Sequence, residues 1–199
     1  MIPVKRREAI VREMTGVRQT TLDLLAKVPD EWFRTRVHGF YSPVGWHFGH
    51  VGRTEEYWTR QRLQGRPPVD PALDFLYTDR PDNPKDDRVA VLEKSEVAAY
   101  LEKTRAAALD ALDGPDLAGG ELAANGYAWE FAVAHECQHQ ETIREMLALL
   151  HRARGTVDPY APSAEFPPPR PKWIFTKAGE FPMGSEAPEA YDNERPVHD

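Results

Sequence analysis

The chain has 199 residues, 41% of them hydrophobic and 29% charged, which is enough for one well-packed domain plus a smaller segment. A mean hydropathy of -0.61, with no long uncharged apolar run, excludes a transmembrane helix, so we expect no membrane partner. A formal net charge of -7 argues against a nucleic-acid partner. The single cysteine cannot form an internal disulfide, and we therefore expect a reducing, cytoplasmic location.

Apolar residues that recur every three or four positions predict four long helices. Ser42 is expected to cap the second helix, with Pro43 at its first helical position, and Ser95 is expected to cap the third. The Pro-rich and Asp-rich segment 65–87 is predicted to be a long loop with a short turn at 72–77. The predicted helices span about residues 4–28, 42–63, 95–112 and 129–151. The basic residues of the first helix are expected to form a solvated face: Lys5, Arg6, Arg7, Arg12 and Arg18.

The composition changes after Gly155. Prolines predict a stiff, extended linker over residues 156–171. Two short strands are predicted at Lys172–Thr176 and Phe181–Ser185. Because two such strands cannot bury a core of their own, this segment is either a tail packed on the bundle or the opening of a further domain. The expected organisation is therefore an all-α four-helix bundle (1–155), a Pro-rich linker (156–171) and a short β-containing tail (172–199).

The fourth predicted helix carries a histidine pair. His135 and His139 lie about 40° apart around the helix axis, one turn apart, which is the arrangement that a single metal ion needs. Gln138 is about 60° from His135 on the same side and would line a cavity that faces the metal, whereas Cys137 is about 160° away and is not expected to be a ligand. The alternative is a pair of hydrogen-bonded or solvated histidines without a metal.

A third imidazole is available on the second predicted helix, where His50 lies on an apolar and aromatic face. In a four-helix bundle, sites are assembled from facing helices, so His50, His135 and His139 could converge as three nitrogen ligands and leave coordination positions open, as catalytic sites do. The segment 82–88 carries cations that could meet a substrate carboxylate, or else it is a solvated charge cluster.

The same segment also matches the five-residue pattern of zinc peptidases, His135-Glu136-x-x-His139, in which Glu136 would be the general base. The longer signature is absent, because Thr142 and Glu145 stand where a glycine and a third histidine are required. A downstream carboxylate such as Glu165 could still complete a peptidase site. The peptidase interpretation therefore remains an alternative.

The motifs together resemble the ergothioneine-biosynthesis sulfoxide synthases, the EgtB family. The helical part resembles the DinB-like domain of that family, and the tail resembles the opening of its formylglycine-generating-enzyme-like domain. The motifs of the helical part are Ser42-Pro43-x-x-Trp46-x-x-x-His50, Glu55-Glu56-x-Trp58 and His135-Glu136-x-x-His139-x-Glu141-Thr142. Those of the tail are Ala178-Gly179-Glu180-Phe181-x-Met183-Gly184-Ser185 and Asp192-Asn193-Glu194-Arg195-Pro196-Val197-His198.

The resemblance implies a non-haem Fe(II) ion held by His50, His135 and His139. Such an enzyme uses O2 to join the sulfur of a cysteine-type thiol to the imidazole of trimethylhistidine, giving a sulfoxide. The resemblance also implies that Gln138 faces the substrate pocket and that Arg88 holds a substrate carboxylate. Glu55 and Glu141 are candidates for groups that orient the imidazoles or for ordinary surface ion pairs. Related DinB-like bundles that are zinc-dependent thiol transferases or hydrolases remain the alternative, with Zn(II) in place of Fe(II).

The resemblance covers only the opening of the second domain. The remainder, which contributes the proton donor in that family, would follow Asp199. We therefore expect a truncated, split or degenerate relative that binds metal but turns over poorly alone, with a second polypeptide as a partner that supplies the rest.

Overall fold

The computed structural model describes residues 2–114, 121–161, 172–187, 190 and 194–198. The chain divides into two compact units, Met1–Asp158 and Pro159–Asp199. Within the described ranges, the helices are all too short or too polar to cross a membrane. Most of the predicted Pro-rich linker lies outside the described residues.

The first unit is helical, in agreement with the predicted all-α class. Its longest helices are α1, α3, α5 and α6, and α3 continues directly into a π-helical segment at Tyr57–Arg62. A 3-10 turn, Glu121–Gly126, leads into α6. The α-helices are α1 (Val4–Lys27), α2 (Asp30–Phe33), α3 (Val44–Glu56), α4 (Pro71–Leu76), α5 (Lys94–Asp113) and α6 (Tyr127–Arg154).

The four long helices form a closed bundle. Helix α3 packs against α5 and α6, and α1 packs against the same two helices. The interior between them is apolar, with Met14, Leu101, Ile143 and Met146 each fully buried. The indole N–H of Trp129 is also satisfied in this core, because it donates to the Ala108 carbonyl at 2.8 Å. The predicted four-helix bundle is confirmed.

Both predicted serine caps are wrong. Helix α3 starts at Val44 after Pro43, and the buried Ser42 hydroxyl instead accepts a hydrogen bond from Arg88 Nη1 at 2.9 Å. Helix α5 starts at Lys94, one residue before the predicted cap, because the Glu96 carboxylate accepts the backbone N–H of Glu93 at 2.9 Å. Arg88 thus engages the Ser42 hydroxyl, and the Glu96 carboxylate provides the cap at the start of α5.

The loop between α3 and α5 contains the short helix α4, at the position of the predicted turn. The Asp70 side chain caps it by accepting the backbone N–H groups of Ala72 and Leu73 at 3.0 and 3.1 Å. Asn83 closes the loop, because its Nδ2 donates to three backbone carbonyls at 2.9–3.2 Å. These carbonyls belong to Phe75, Leu76 and Thr78. The segment is therefore ordered by its own hydrogen bonds.

The second unit does not contain the predicted strands. Residues 172–182 and 184–187 have no regular secondary structure, and Met183 forms only an isolated antiparallel bridge with His198. Trp173, Ile174 and Phe175 are 99%, 85% and 92% exposed, so no described residue covers the first predicted strand. A strand needs a neighbour to satisfy its backbone, and the described residues provide none.

Candidate metal centre

Three imidazoles meet inside the bundle. His50 comes from α3, and His135 and His139 come from α6. Each offers a ring nitrogen such that all three nitrogens lie within 4.8 Å of one another. The ring centroids are 5.0 Å apart for His50 and His135, 4.9 Å for His50 and His139, and 4.5 Å for His135 and His139. The packing of α3 on α6 thus brings together the three residues that the sequence singled out.

The first of these rings is held in place from two sides. The indole of Trp46 stacks on the imidazole of His50, with centroids 4.5 Å apart and planes 15° apart. His50 Nδ1 lies 2.7 Å from the backbone carbonyl of Tyr77. Because a carbonyl can only accept, Nδ1 of His50 carries the proton and Nε2 keeps its lone pair. This is the tautomer that a metal ligand requires.

Burial keeps these imidazoles neutral. It lowers the pKa of His50 to about 3, that of His135 to about 2 and that of His139 to about 4. For His50 and His135, a charge on His139 lowers the pKa further. Neutral imidazoles bind a cation without first releasing protons, so the cluster is ready to coordinate a metal at neutral pH.

A fourth imidazole, His47, contacts the cluster, and sequence reasoning missed this contact. It lies on α3 one turn before His50, and its Nδ1 is 3.1 Å from Nδ1 of His139. The side chain is 7% exposed. Burial is the main cause that lowers the pKa of His47 to about 3, and a charge on His139 is the second. The spacing of three residues before His50 was the available signal, since it places both rings on neighbouring faces of one helix.

A cavity of about 180 Å³ opens beside the cluster. Its lining combines imidazoles, aromatic rings and basic side chains: Phe40, Tyr41, Ser42, Trp46, His47, His50, Asp79, Lys85, Arg88, His139 and Thr142. Such a mixture suits a small polar ligand with an anionic group.

Arg88 is the buried basic residue of this cavity, with 2% of its surface exposed. Its guanidinium lies 4.5 Å from the centroid of the Trp46 ring. It donates to the Asn83 carbonyl at 2.8 Å and to Asp79 at 2.5 Å, and it also reaches Ser42. The partner carboxylate of Asp79 is 67% exposed. Arg88 is thus not part of a solvated charge cluster.

Gln138 and Cys137 are both exposed on α6. Neither belongs to the residues that line the cavity. The Gln138 carbonyl accepts a hydrogen bond from the Thr142 hydroxyl at 3.0 Å, within the helix. In this structure the Gln138 side chain therefore has no contact with the cavity that the described residues enclose.

Two arginines and two glutamates form a buried network inside the bundle. Arg18 contacts Glu55 at 2.6 Å and Glu136 at 2.8 Å. Arg105 contacts Glu136 at 2.8 Å and also Glu55. Burial alone lowers the pKa of Arg18, but attraction to the two carboxylates more than offsets it and raises the pKa. The network joins all four long helices, since its members come from α1, α3, α5 and α6.

This network corrects three predictions. Arg18 is buried rather than part of a solvated face. Glu55 binds arginines, and neither it nor the exposed Glu141 reaches an imidazole among the described hydrogen bonds. Glu136 accepts from Arg18, Arg105 and Thr21, so it points into the bundle, away from a role as general base. The peptidase alternative therefore lacks its base.

Known proteins resemble this chain over most of its length. Three curated relatives are named hercynine oxygenase. The protein from Mycolicibacterium thermoresistibile is 30% identical over 99% of this chain and 44% of its own length. That from Mycolicibacterium smegmatis is 31% identical over 96% and 45%, and that from Mycobacterium tuberculosis is 34% identical over 79% and 37%. The chain thus spans less than half the length of the curated relatives it matches.

The helical unit also matches the sequence pattern of a broader superfamily. The sequence pattern of the DinB superfamily matches residues 13–143, a range that begins in α1 and ends in α6. This range includes all three clustered imidazoles as well as His47 and Arg88. The match and the four-helix bundle agree, and the chain belongs to the DinB superfamily.

Proposed function

We propose that this chain is the metal-binding helical part of a hercynine oxygenase of ergothioneine biosynthesis. The full reaction would be that of a non-haem iron sulfoxide synthase, in which O2 is used to join a cysteine-type thiol to the imidazole ring of trimethylhistidine. The observation that carries the proposal is the three-imidazole cluster, which lies in a chain aligned over 99% of its length with a relative of that name.

The residues fit a metal ion. His50, His135 and His139 offer neutral nitrogens from two rigid helices, and imidazole suits Fe(II) as well as Zn(II). Three protein ligands leave positions open for small molecules. A bound Fe(II) ion would supply the redox chemistry with O2. The chain's own contribution is to hold the three nitrogens, to fix the tautomer of His50 through Tyr77, and to enclose the neighbouring cavity.

The substrate contacts are assigned on the same basis. Arg88 would bind a substrate carboxylate at the cavity, in competition with the largely exposed Asp79. Gln138 is proposed to face the substrate from α6, next in sequence to His139, although it does not line the cavity described above. We assign residues 172–199 to the opening of a formylglycine-generating-enzyme-like domain, and the proton donor to the part of the relatives that this chain does not span. A cytoplasmic location is part of the proposal.

Metal content and ligand dependence test the proposal. The protein is purified without oxygen and its metals are quantified, for the native chain and for His139→Ala. A His38→Ala variant is the matched control, because His38 is exposed and outside the cluster. We expect about one iron per chain, lost in His139→Ala and retained in the control.

Stoichiometric zinc under iron-replete conditions would instead favour the zinc-dependent thiol transferase. Unchanged metal content in His139→Ala would refute the metal centre. Mass spectrometry after incubation with trimethylhistidine, O2 and cysteine or gamma-glutamylcysteine tests turnover, and we expect little sulfoxide from this chain alone.

A further inference from the structure

His47 contacts the cluster without belonging to it. The three nitrogens that lie within 4.8 Å of one another come from His50, His135 and His139, and His47 is not among them. Its contact with the cluster is the 3.1 Å approach between its Nδ1 and Nδ1 of His139, with ring centroids 5.2 Å apart. This geometry is that of a group behind a ligand rather than that of a fourth ligand.

Two facing Nδ1 atoms at this distance share one proton. If His47 donated it, the proton of a neutral His139 would lie on its own Nε2, which would then have no lone pair for a metal. If His139 donates, its Nε2 is free to coordinate. Metal binding therefore selects the arrangement in which Nδ1–H of His139 donates and Nδ1 of His47 accepts. The same logic applies to His50, where the Tyr77 carbonyl is the acceptor.

The surroundings hold His47 in this role. Its side chain is buried, and the perpendicular Trp46 ring lies with its centroid 5.5 Å away. Within the described chain, Nε2 of His47 has no hydrogen-bond partner. Lys85 and Arg88 line the same cavity as His47. When Nδ1 of His47 accepts, the proton of its neutral ring lies on Nε2.

We infer that His47 is a positioning residue of the proposed metal centre, which accepts the Nδ1–H of His139 and so fixes both the tautomer and the orientation of that ligand. The inference rests on the proposed function only in taking the three imidazoles as metal ligands. Two of the ligands, His50 and His139, then coordinate through Nε2, each with an acceptor behind it.

The test compares two replacements of similar size. His47→Asn places an amide oxygen near the position of Nδ1 and can still accept a hydrogen bond, whereas His47→Leu cannot. The probe is Co²⁺ alone, with affinity measured by its visible absorption and the number of bound imidazoles by X-ray absorption. His151→Leu is the control, because His151 lies on the same helix as His139 but packs on Trp32 away from the cluster.

We expect His47→Leu to weaken Co²⁺ binding by about 10–100-fold, the effect usual for partners behind a metal-bound histidine. His47→Asn should recover most of the affinity, and the control should match the native protein. All forms should show three imidazoles at saturating metal. Equal losses in the Asn and Leu variants, or no loss in either, would overturn the inference. Four imidazoles in the native protein would make His47 a ligand and overturn it as well.

A measurement on the native protein is independent of how the variants fold. In the zinc-loaded form, ¹⁵N spectra should show a protonated Nδ1 on His139 and an unprotonated Nδ1 on His47, and the reverse assignment refutes the inference. A His139→Ala variant distinguishes a failure of the proposed metal centre from a failure of the role inferred for His47. If it leaves Co²⁺ affinity unchanged, the metal centre itself is wrong; if it abolishes binding while the His47 variants bind normally, only the role of His47 falls.

Discussion

Replacing Glu136 by glutamine should strongly destabilise the bundle. The carboxylate is 1% exposed and accepts hydrogen bonds from Arg18 at 2.8 Å, from Arg105 at 2.8 Å and from Thr21 at 2.6 Å. In the native protein two guanidinium groups face two carboxylates, so the network is neutral. Glu136→Gln keeps the shape but leaves one buried positive charge without compensation.

Removal of one partner from a buried ion pair costs about 3–5 kcal/mol. At about 2–4 °C per kcal/mol for a chain of this size, the Tm should fall by roughly 6–20 °C. Urea unfolding followed by circular dichroism measures the free energy directly. The control is Glu141→Gln, since Glu141 is exposed on the same helix and should change the free energy of unfolding by less than about 0.5 kcal/mol.

A second variant checks the cause. Replacing Arg105 by methionine and Glu136 by leucine together restores the charge balance, so the double variant should lose less stability than the sum of the single variants. The reasoning is refuted if Glu136→Gln costs under about 1 kcal/mol, or if the losses simply add. A peptidase would show the opposite pattern, with stability retained and hydrolysis lost.

Three further predictions concern packing, the loop and pH. A Cβ on Gly49 would lie 2.2 Å from the Tyr77 ring, so Gly49→Ala should lower the free energy of unfolding by about 1–3 kcal/mol and weaken metal binding. A Cβ on Gly16 would meet nothing within 4 Å, so Gly16→Ala should instead raise the free energy of unfolding by about 0.5–1 kcal/mol. Urea unfolding measures both changes. Asn83→Asp would turn a carboxylate toward three backbone carbonyls, so limited proteolysis should cut the loop between α3 and α5 faster than in the native protein. Asn83→Gln should have a smaller effect. Cleavage of Asn83→Asp at the native rate would contradict the role of Asn83. The pKa of His50 is lowered from 6.5 to about 3, so as the pH falls the unfolded chain takes up a proton that the folded protein excludes. The metal-free protein should therefore lose roughly 2 kcal/mol of stability between pH 7 and pH 5 from this imidazole alone. A free energy of unfolding that does not change with pH in urea titrations would refute this.

Helical spacing was sufficient to find the histidine pair of the candidate metal centre, because this spacing is a matter of local geometry. His135 and His139 are one turn apart on a helix without glycine or proline, and such a pair must share a face. The bundle then required only that α3 pack on α6 for His50 to meet them. The curated relatives and the superfamily match agree with the family that the motifs had indicated.

Other features depended on partners far away in sequence. Arg18 reads as one more cation of a basic helix, and only the fold shows that it meets Glu136, 118 positions later. Ser42 has the right residue type for a cap, but it instead binds Arg88, which arrives from the loop. The predicted strands of the tail failed for the same reason, since a strand is stable only beside a neighbour that the described residues do not contain.

The contact between His50 and the Tyr77 carbonyl ties the histidine cluster to a loop that contributes none of the three imidazoles. Thermodynamic linkage is reciprocal. If the ordered loop increases the affinity for a metal ion, then a bound metal ion stabilises the ordered loop by the same free energy. Hydrogen exchange at the backbone amides of α4 should therefore slow when a metal ion binds the cluster. The exchange rate of α4 would then report metal binding, although α4 is far in sequence from His135 and His139.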